Sequence, residues 1–362
     1  MPAATYGNVL EMIGNTPLMA VRRIDTGPCE LFLKLENQNP GGSIKDRIGL
    51  YLIEAAERSG RLRKGDTLIE ATAGNTGLGL ALVAAQKGYR LLLCIPDKMS
   101  QEKIFHLKAM GAEVVMTRSD VSKGHPEYYR DVAERLAREM PNSYFVNQFG
   151  NPANATAHEE TTAPELWEQM GGRLDAVVCG VGTGTLLAAA LRYCREQRHG
   201  KRVVSFVCDS GNKYLSKVYN DYWMRDQGFL ERAHRGDLRD LIARPHSEHA
   251  AVTVNSTETV MAAYRRMKLY DVSQVPVMQD GRIIGIVDEE DILLEVVNNP
   301  EHFNEPVTNA MASHLVTVPV DAPVAQLMEI FKRGMVAIVM QGSEFQGLIT
   351  RIDLLNWLRR KL

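Results

Sequence analysis

From Leu31 to Val207 the chain alternates between short apolar runs and longer amphipathic ones, and that alternation leaves few folds open. "ELFLKLE", "DTLIEAT", "YRLLLCIP", "AEVVMT", "SYFVNQF", "DAVVCGVG" and "KRVVSFVCD" have the length and residue types of strands. Between them, "SIKDRIGLYLIEAAERSG", "NTGLGLALVAAQKG", "SQEKIFHLKAMG", "HPEYYRDVAERLAREM", "TAPELWEQMG" and "TLLAAALRYCREQ" place apolar residues at helical spacing. Ser43 is positioned to cap the first helix and Ser100 the third. Strand–helix–strand order of this kind predicts an α/β fold, with parallel sheets flanked by helices on both faces. Ligands then bind at the carboxyl ends of the strands.

The pattern changes near Gln227. A polar stretch, 227–249, reads as a linker, and an internal repeat follows it. "VTV" at Val252 recurs at Val316, and "GIVDEEDIL" at Gly285 recurs as "GLITRIDLL" at Gly347. Each unit reads as β-α-β-β-α, over about 250–299 and 306–362. Two such units pack together because neither can bury its apolar face alone.

Three strand-to-helix turns carry chemistry. In "NPGGSIKDR" two glycines let the backbone approach a partner closely, and Lys45 falls in the first turn of a helix. A cation is disfavoured there, which eases its deprotonation, and a neutral amine is what Schiff-base chemistry needs. A solvated lysine paired with Asp46 fits the same stretch. In "EATAGNTGLGLA" exposed N–H groups at a helix start, with threonine hydroxyls beside them, make an anion site suited to a carboxylate. A plain glycine turn with an N-cap is the simpler reading. "AVVCGVGTGTLLAAAL" is again strand, glycine turn and helix, and could hold a phosphate.

In order, "EMIGNTPL", "NPGGSIKDR", "TAGNTG" and "NQFGNPANATAHEETTAPELWEQ" resemble the pyridoxal-phosphate (PLP) enzymes of the cysteine synthase and cystathionine β-synthase group, of fold type II. The tandem tail resembles the CBS regulatory module found in bacterial members. The resemblance implies a PLP-dependent catalytic core over 1–226 and a tandem CBS module over 250–362. It implies that Lys45 forms the Schiff-base link to PLP and that Asn75 touches the cofactor's ring oxygen. Thr72, Ala73, Gly74, Thr76 and Gln148 would hold the substrate carboxylate. Ala73 stands where the group commonly has serine, which removes one hydroxyl donor and leaves the backbone N–H. The implied reaction is β-replacement: the freed Lys45 amine takes the α-proton of L-serine, the β-hydroxyl leaves, and the thiol of L-homocysteine adds at Cβ. Formation of hydrogen sulfide from cysteine is a side reaction of the same chemistry.

The resemblance breaks near Gly182–Thr183. There "CGVG" runs directly into "TGTLLAAAL", skipping a long segment that carries most of a phosphate loop and a serine for the ring nitrogen. Gly182, Thr183, Gly184 and Thr185 remain as a reduced phosphate cup. Either residues of the natural protein are missing from this sequence or the segment has been deleted. The first is favoured, because removing adjacent strands and helices would bare a large apolar surface.

In the second repeat the resemblance assigns Thr350 and Asp353 to an adenosyl ligand, S-adenosylmethionine or an adenine nucleotide. Asp353 read simply as a helix cap is the alternative, and the module serving only for contact between dimers is another. Asp288 takes the hydroxyl's place in the first repeat, where a carboxylate would repel phosphate.

The remaining features exclude more than they assign. Lys and Arg number 42 against 44 Asp and Glu, a net charge of −2 without a basic stripe, so nucleic acid is not an expected partner. Five cysteines without a C-x-x-C pair read as reduced thiols of a cytoplasmic protein. No apolar run spans a bilayer, and "MPAATYGNVLEM" lacks the features of a signal peptide. His234, His246 and His249 read as solvated, His106 and His158 as structural, and no metal site is expected. A homodimer or larger homo-oligomer is expected from the resemblance. Three functions follow: a cystathionine β-synthase, an O-acetylserine-dependent cysteine synthase, and an inactive scaffold that senses an adenosyl ligand.

Overall fold

The computed structural model describes residues 5–72, 74–179, 192–230, 234–248 and 250–360. The chain divides into two compact units, Met1–Tyr214 and Leu215–Leu362.

The first unit contains two four-stranded sheets. One is built from β3 (Thr67–Ala71), β4 (Arg90–Pro96), β5 (Glu113–Thr117) and β6 (Ser143–Phe145), in the order β5-β4-β3-β6, with every pair parallel. The continuous apolar run of β4 is explained by burial on both faces. Leu91, Leu93 and Ile95 pack with the helices α1 (Lys45–Arg58) and α2 (Asn75–Lys87). Leu92 and Cys94 point the other way, against Val132 and Ala133 of α4 (Tyr129–Glu139). Helix α3 (Gln101–Ala109) adds Leu107 to the α1–α2 side.

The other sheet has the order β1-β2-β8-β7, from β1 (Leu18–Ala20), β2 (Glu30–Lys34), β7 (Ala176–Val178) and β8 (Arg202–Phe206). The pairs β2–β8 and β8–β7 are parallel, whereas β1, which the sequence pattern did not suggest, pairs antiparallel with β2. The stretch "NPANATAHEETTAPELWEQ" holds α5 (Ala153–Ala157), a π-helical turn (His158–Thr162) and α6 (Ala163–Gln169).

Two expected caps differ in detail. Helix α1 begins one residue later than its serine, with Ile44 at the N-cap position, and the Lys45 N–H donates to Ser43 Oγ at 3.2 Å. Ser100 occupies the N-cap of α3, but its side chain makes no capping hydrogen bond.

The second unit contains the repeat. The first copy has β9 (Val254–Asn255), α7 (Val260–Tyr270), β10 (Gln274–Gln279), β11 (Arg282–Asp288) and α8 (Glu289–Val296). The second has β12 (Thr317–Pro319), α9 (Val324–Lys332), β13 (Ala337–Gln341), β14 (Glu344–Ile349) and α10 (Arg351–Arg359). Each copy pairs its first strand parallel and its last two antiparallel. The register shift recurs at the same place, Val277/Met278 and Val339/Met340, so the likeness extends to backbone irregularities. Met278 packs with Ile338 and Phe345, joining the two copies. Within the stretch read as a linker, Leu238, Leu241 and Ile242 are buried in the second copy's core, so this part of it is structural.

Candidate functional site

The heads of α1 and α2 are held together by a backbone contact that only glycine permits. A Cβ on Gly49 would lie 2.8 Å from the carbonyl carbon of Gly79. A Cβ on Gly79 would lie 2.7 Å from the carbonyl oxygen of Lys45. Each glycine sits four residues into its helix, so the crossing sets Lys45, the first residue of α1, against Gly79, one turn beyond Asn75, the first residue of α2. Lys45 is half-buried.

The turn before α2 is organised by buried polar groups. Thr72 is buried, and its hydroxyl accepts from the Gly74 N–H at 3.3 Å. The Thr76 hydroxyl donates to Gln148 Oε1 at 2.7 Å, and Gln148 Nε2 donates to the Ala71 carbonyl at 3.3 Å. Gln148 follows the end of β6 at Phe145 and comes directly after Asn147, which adopts φ 53°, the left-handed region that asparagine tolerates. A Cβ on Gly74 would meet nothing within 4 Å, so open space lies at the head of α2. Lys45, Thr72, Gly74, Asn75, Thr76 and Gln148 therefore belong to one neighbourhood. Ala73 and the cup Gly182, Thr183, Gly184 and Thr185 lie outside the described residues, as does His249.

Two buried carboxyls flank this neighbourhood. Glu70 accepts from the N–H groups of Ala71 (2.7 Å) and Gln148 (2.9 Å), yet burial pushes its carboxyl up to about 7. Asp46 accepts from the Gly41 N–H at 2.5 Å, its other oxygen has no partner, and burial pushes it up to about 6. Both groups sit above their ordinary values, so the folded protein holds protons that the unfolded chain releases between about pH 4 and 7. Stability accordingly falls as pH rises through that window, by on the order of 3 kcal/mol for each group. Urea denaturation from pH 4.5 to 8 should show this decline, and Asp46→Asn, which keeps an acceptor for Gly41, should flatten it.

Sequence reasoning missed a buried ion network behind Lys45. Arg47 donates to Glu36 through Nε and Nη2, each at 2.8 Å, and to Glu165 through Nη1 at 2.8 Å. Lys34, wholly buried, pairs with Glu165 and donates to Gln169 Oε1 at 2.8 Å. Burial alone would raise Glu36, but Arg47 more than offsets it and holds the carboxylate low. The sequence signal was a lysine inside a strand that the flanking runs would bury. His158 is lowered by burial and by the cations of Lys45 and Arg47, and its Nδ1 lies 3.0 Å from Thr162 Oγ1.

In the second unit Thr350 and Asp353 form a capping box. The Thr350 N–H and O–H donate to Asp353 Oδ2 at 2.7 and 2.6 Å. Asp353 therefore does cap α10, and it also lines a cavity of about 520 Å³ with Thr350, Arg244, Asp271, Ser273 and Arg351. Burial raises the Asp353 carboxyl despite the two bonds from Thr350. Asp288 makes the equivalent cap in the first repeat, with Asp291. Of the linker histidines, His234 pairs with Asp240 at 3.0 Å, and His246 packs on Phe345 rather than standing free in solvent. Among the described residues, Glu295, His302 and Glu305 bring metal-capable atoms within 4.8 Å of one another, and they already pair, with His302 Nδ1 3.1 Å from the Glu295 carboxylate.

Residues 9–267 match the profile of the family described as pyridoxal-phosphate dependent enzyme. The chain belongs to the pyridoxal-phosphate-dependent enzymes. Residues 239–298 and 307–360 match the CBS domain, so this PLP enzyme carries a tandem CBS module at its carboxyl end. It is similar to a cystathionine beta-synthase of Dictyostelium discoideum, 30% identical over 465 residues, with 98% of this chain and 92% of the relative covered. That alignment exceeds the 362 residues of this PLP enzyme by 103, so at least that many positions face gaps in it, which fits a missing internal segment. Cysteine synthase 1 of Emericella nidulans is 48% identical over 207 residues, covering 57% of this chain and 55% of the relative. A solved structure of a hydrogen sulfide-producing enzyme from Fusobacterium nucleatum matches with a TM-score of 0.54 and 29% identity, over 59% of this chain and 99% of that one. Among the described residues, no helix is long and apolar enough to cross a membrane.

The residues described fit the cofactor. They offer the Lys45 amine, the Asn75 carboxamide and a helix head beside open space, groups suited to an aldehyde, a ring oxygen and a carboxylate.

Proposed function

We propose that the chain is a cystathionine β-synthase that replaces the β-hydroxyl of L-serine with the thiol of L-homocysteine. The observation that carries this reading is the extent of the likeness to the Dictyostelium protein, which runs through 98% of the chain, tandem module included. The likeness to the Emericella cysteine synthase is higher in identity and stops at 57%. That higher identity favours O-acetylserine-dependent cysteine synthesis as the second reading.

Lys45 would hold PLP through its amine, and Asn75 would contact the ring oxygen. The cofactor, when bound, supplies the electron sink at the α-carbon. Thr72, Gly74 and Thr76 hold the substrate carboxylate at the head of α2, with Ala73 adding a backbone N–H and Gln148 fixing the Thr76 hydroxyl. The Lys45 amine would take the proton from Cα and return it there, while the thiol's proton would leave with the β-hydroxyl as water. Gly182, Thr183, Gly184 and Thr185 provide the phosphate cup. The Fusobacterium likeness supports hydrogen sulfide formation from cysteine as a side reaction. The protein works as a homodimer or larger homo-oligomer in the cytoplasm. The core extends over 1–226 and the regulatory module over 250–362, with Leu238, Leu241 and Ile242 of the intervening 227–249 packed into the module.

The test is intact mass after borohydride reduction, followed by a substrate profile. One phosphopyridoxyl group added to the 40.3 kDa chain, on the Lys45 peptide, supports the enzyme reading. An unaltered mass supports the inactive scaffold instead. Higher kcat/KM for O-acetylserine with sulfide than for serine with homocysteine overturns the first reading in favour of the second.

The cavity containing Thr350 and Asp353 takes the adenosyl moiety of S-adenosylmethionine or an adenine nucleotide. Asp353→Asn should weaken that binding about tenfold by calorimetry, since it removes a charged acceptor.

A further inference from the structure

We propose that Asp209 is a positioning residue for Asn75, fixing which end of its carboxamide faces the cofactor. The proposal rests on the reading of Asn75 as the residue that meets the ring oxygen.

Asp209 lies just beyond β8, in a segment to which the sequence assigned no role. Asn75 Nδ2 donates to Asp209 Oδ2 at 2.6 Å, and the Tyr214 hydroxyl donates to the same oxygen. A carboxylate only accepts hydrogen bonds, so the end of Asn75 that it holds must be the amide nitrogen. The reverse orientation would set two acceptor oxygens against each other. The carboxamide is thereby fixed. One N–H is given to Asp209, and the second remains as a donor.

The anchor of Asp209 is independent of its side chain. Its backbone forms an antiparallel bridge with Ser43, and the Ile44 N–H donates to the Cys208 carbonyl at 2.9 Å. Lys213, four residues on, donates to the Gly41 carbonyl at 2.9 Å. The segment is thus tied by its main chain to the turn that delivers Lys45, and by the Asp209 carboxylate to the head of α2. Without that carboxylate, rotation of the Asn75 amide presents oxygen or nitrogen to the ring with little preference.

The experiment titrates PLP into the cofactor-stripped full chain and reads visible absorption and fluorescence, with the melting temperature of the stripped protein as a control. Asp209→Ala should weaken PLP binding about tenfold and shift the visible band, at an unaltered melting temperature, and Asp209→Asn, which keeps an acceptor oxygen, should have a smaller effect of the same sign. Tyr214→Phe should act in the same direction, less strongly. Asn75→Ala should weaken binding as well, and Asp209→Ala should then add nothing in the Asn75→Ala background, because the two act as one unit. Additive losses overturn the proposal by making Asp209 a separate support. A PLP affinity and band unaltered in Asp209→Ala overturn it while leaving the Asn75 reading intact. An Asn75→Ala variant that binds PLP as well as the parent overturns the Asn75 reading and the proposal with it.

Discussion

Replacing Lys45 with alanine should leave a folded protein that forms no reducible adduct with PLP and turns over at least about 10⁴-fold more slowly. The size of the effect follows from two duties falling on one amine. On the proposed mechanism it makes the covalent link to the cofactor and moves the proton at Cα. Added methylamine restores part of a lost proton transfer but cannot restore the link, so rescue that reached parental rates would show that Lys45 is only the base. Stability should change little, because Lys45 is half-buried and its backbone, not its side chain, meets Gly79.

The second large effect is structural. Gly79→Ala places a Cβ 2.7 Å from the Lys45 carbonyl oxygen, and Gly49→Ala places one 2.8 Å from the Gly79 carbonyl carbon. Neither neighbour is a side chain that can rotate away, so the helices must separate. A loss of about 3 kcal/mol is expected from such overpacking, with a fall in melting temperature of roughly 6–12 °C. Gly74→Ala makes the contrast, since its Cβ enters open space. It should melt like the parent and lose substrate affinity instead. Differential scanning calorimetry beside a KM measurement separates the two cases.

How much of this was legible in the sequence depended on distance along the chain. The alternating strands and helices were readable because periodicity is local, and in β4 the buried run "LLLCIP" does feed two cores alternately. The glycine turns before α1 and α2 were readable for the same reason. Asp209 was not, because its partner Asn75 is 134 residues away and nothing near "CDSGNKY" marks an acceptor. The Arg47–Glu165 pair was hidden likewise by a separation of 118 residues. The end of β6 was overread, since "SYFVNQF" has a strand's composition throughout, while the strand ends at Phe145 and Asn147 takes a positive φ. The cap of α1 slipped by one residue because helix ends are set by backbone bonds as well as by the nearest serine.

The pairing of β2 with β8 has a consequence for the order of events during synthesis. Leu31 must wait for Val203, and the turn that holds Lys45 must wait for Cys208 and Asp209. The sheet from β3 to β6 is complete once Phe145 has left the ribosome, so it forms first. The neighbourhood of Lys45 and Asn75 is then a late product of folding, closed by contacts of long sequence separation that are slow to find. A nascent chain arrested before Arg202 would carry α1 and α2 packed on that sheet and lack the Cys208–Asp209 segment that ties down the turn before Lys45.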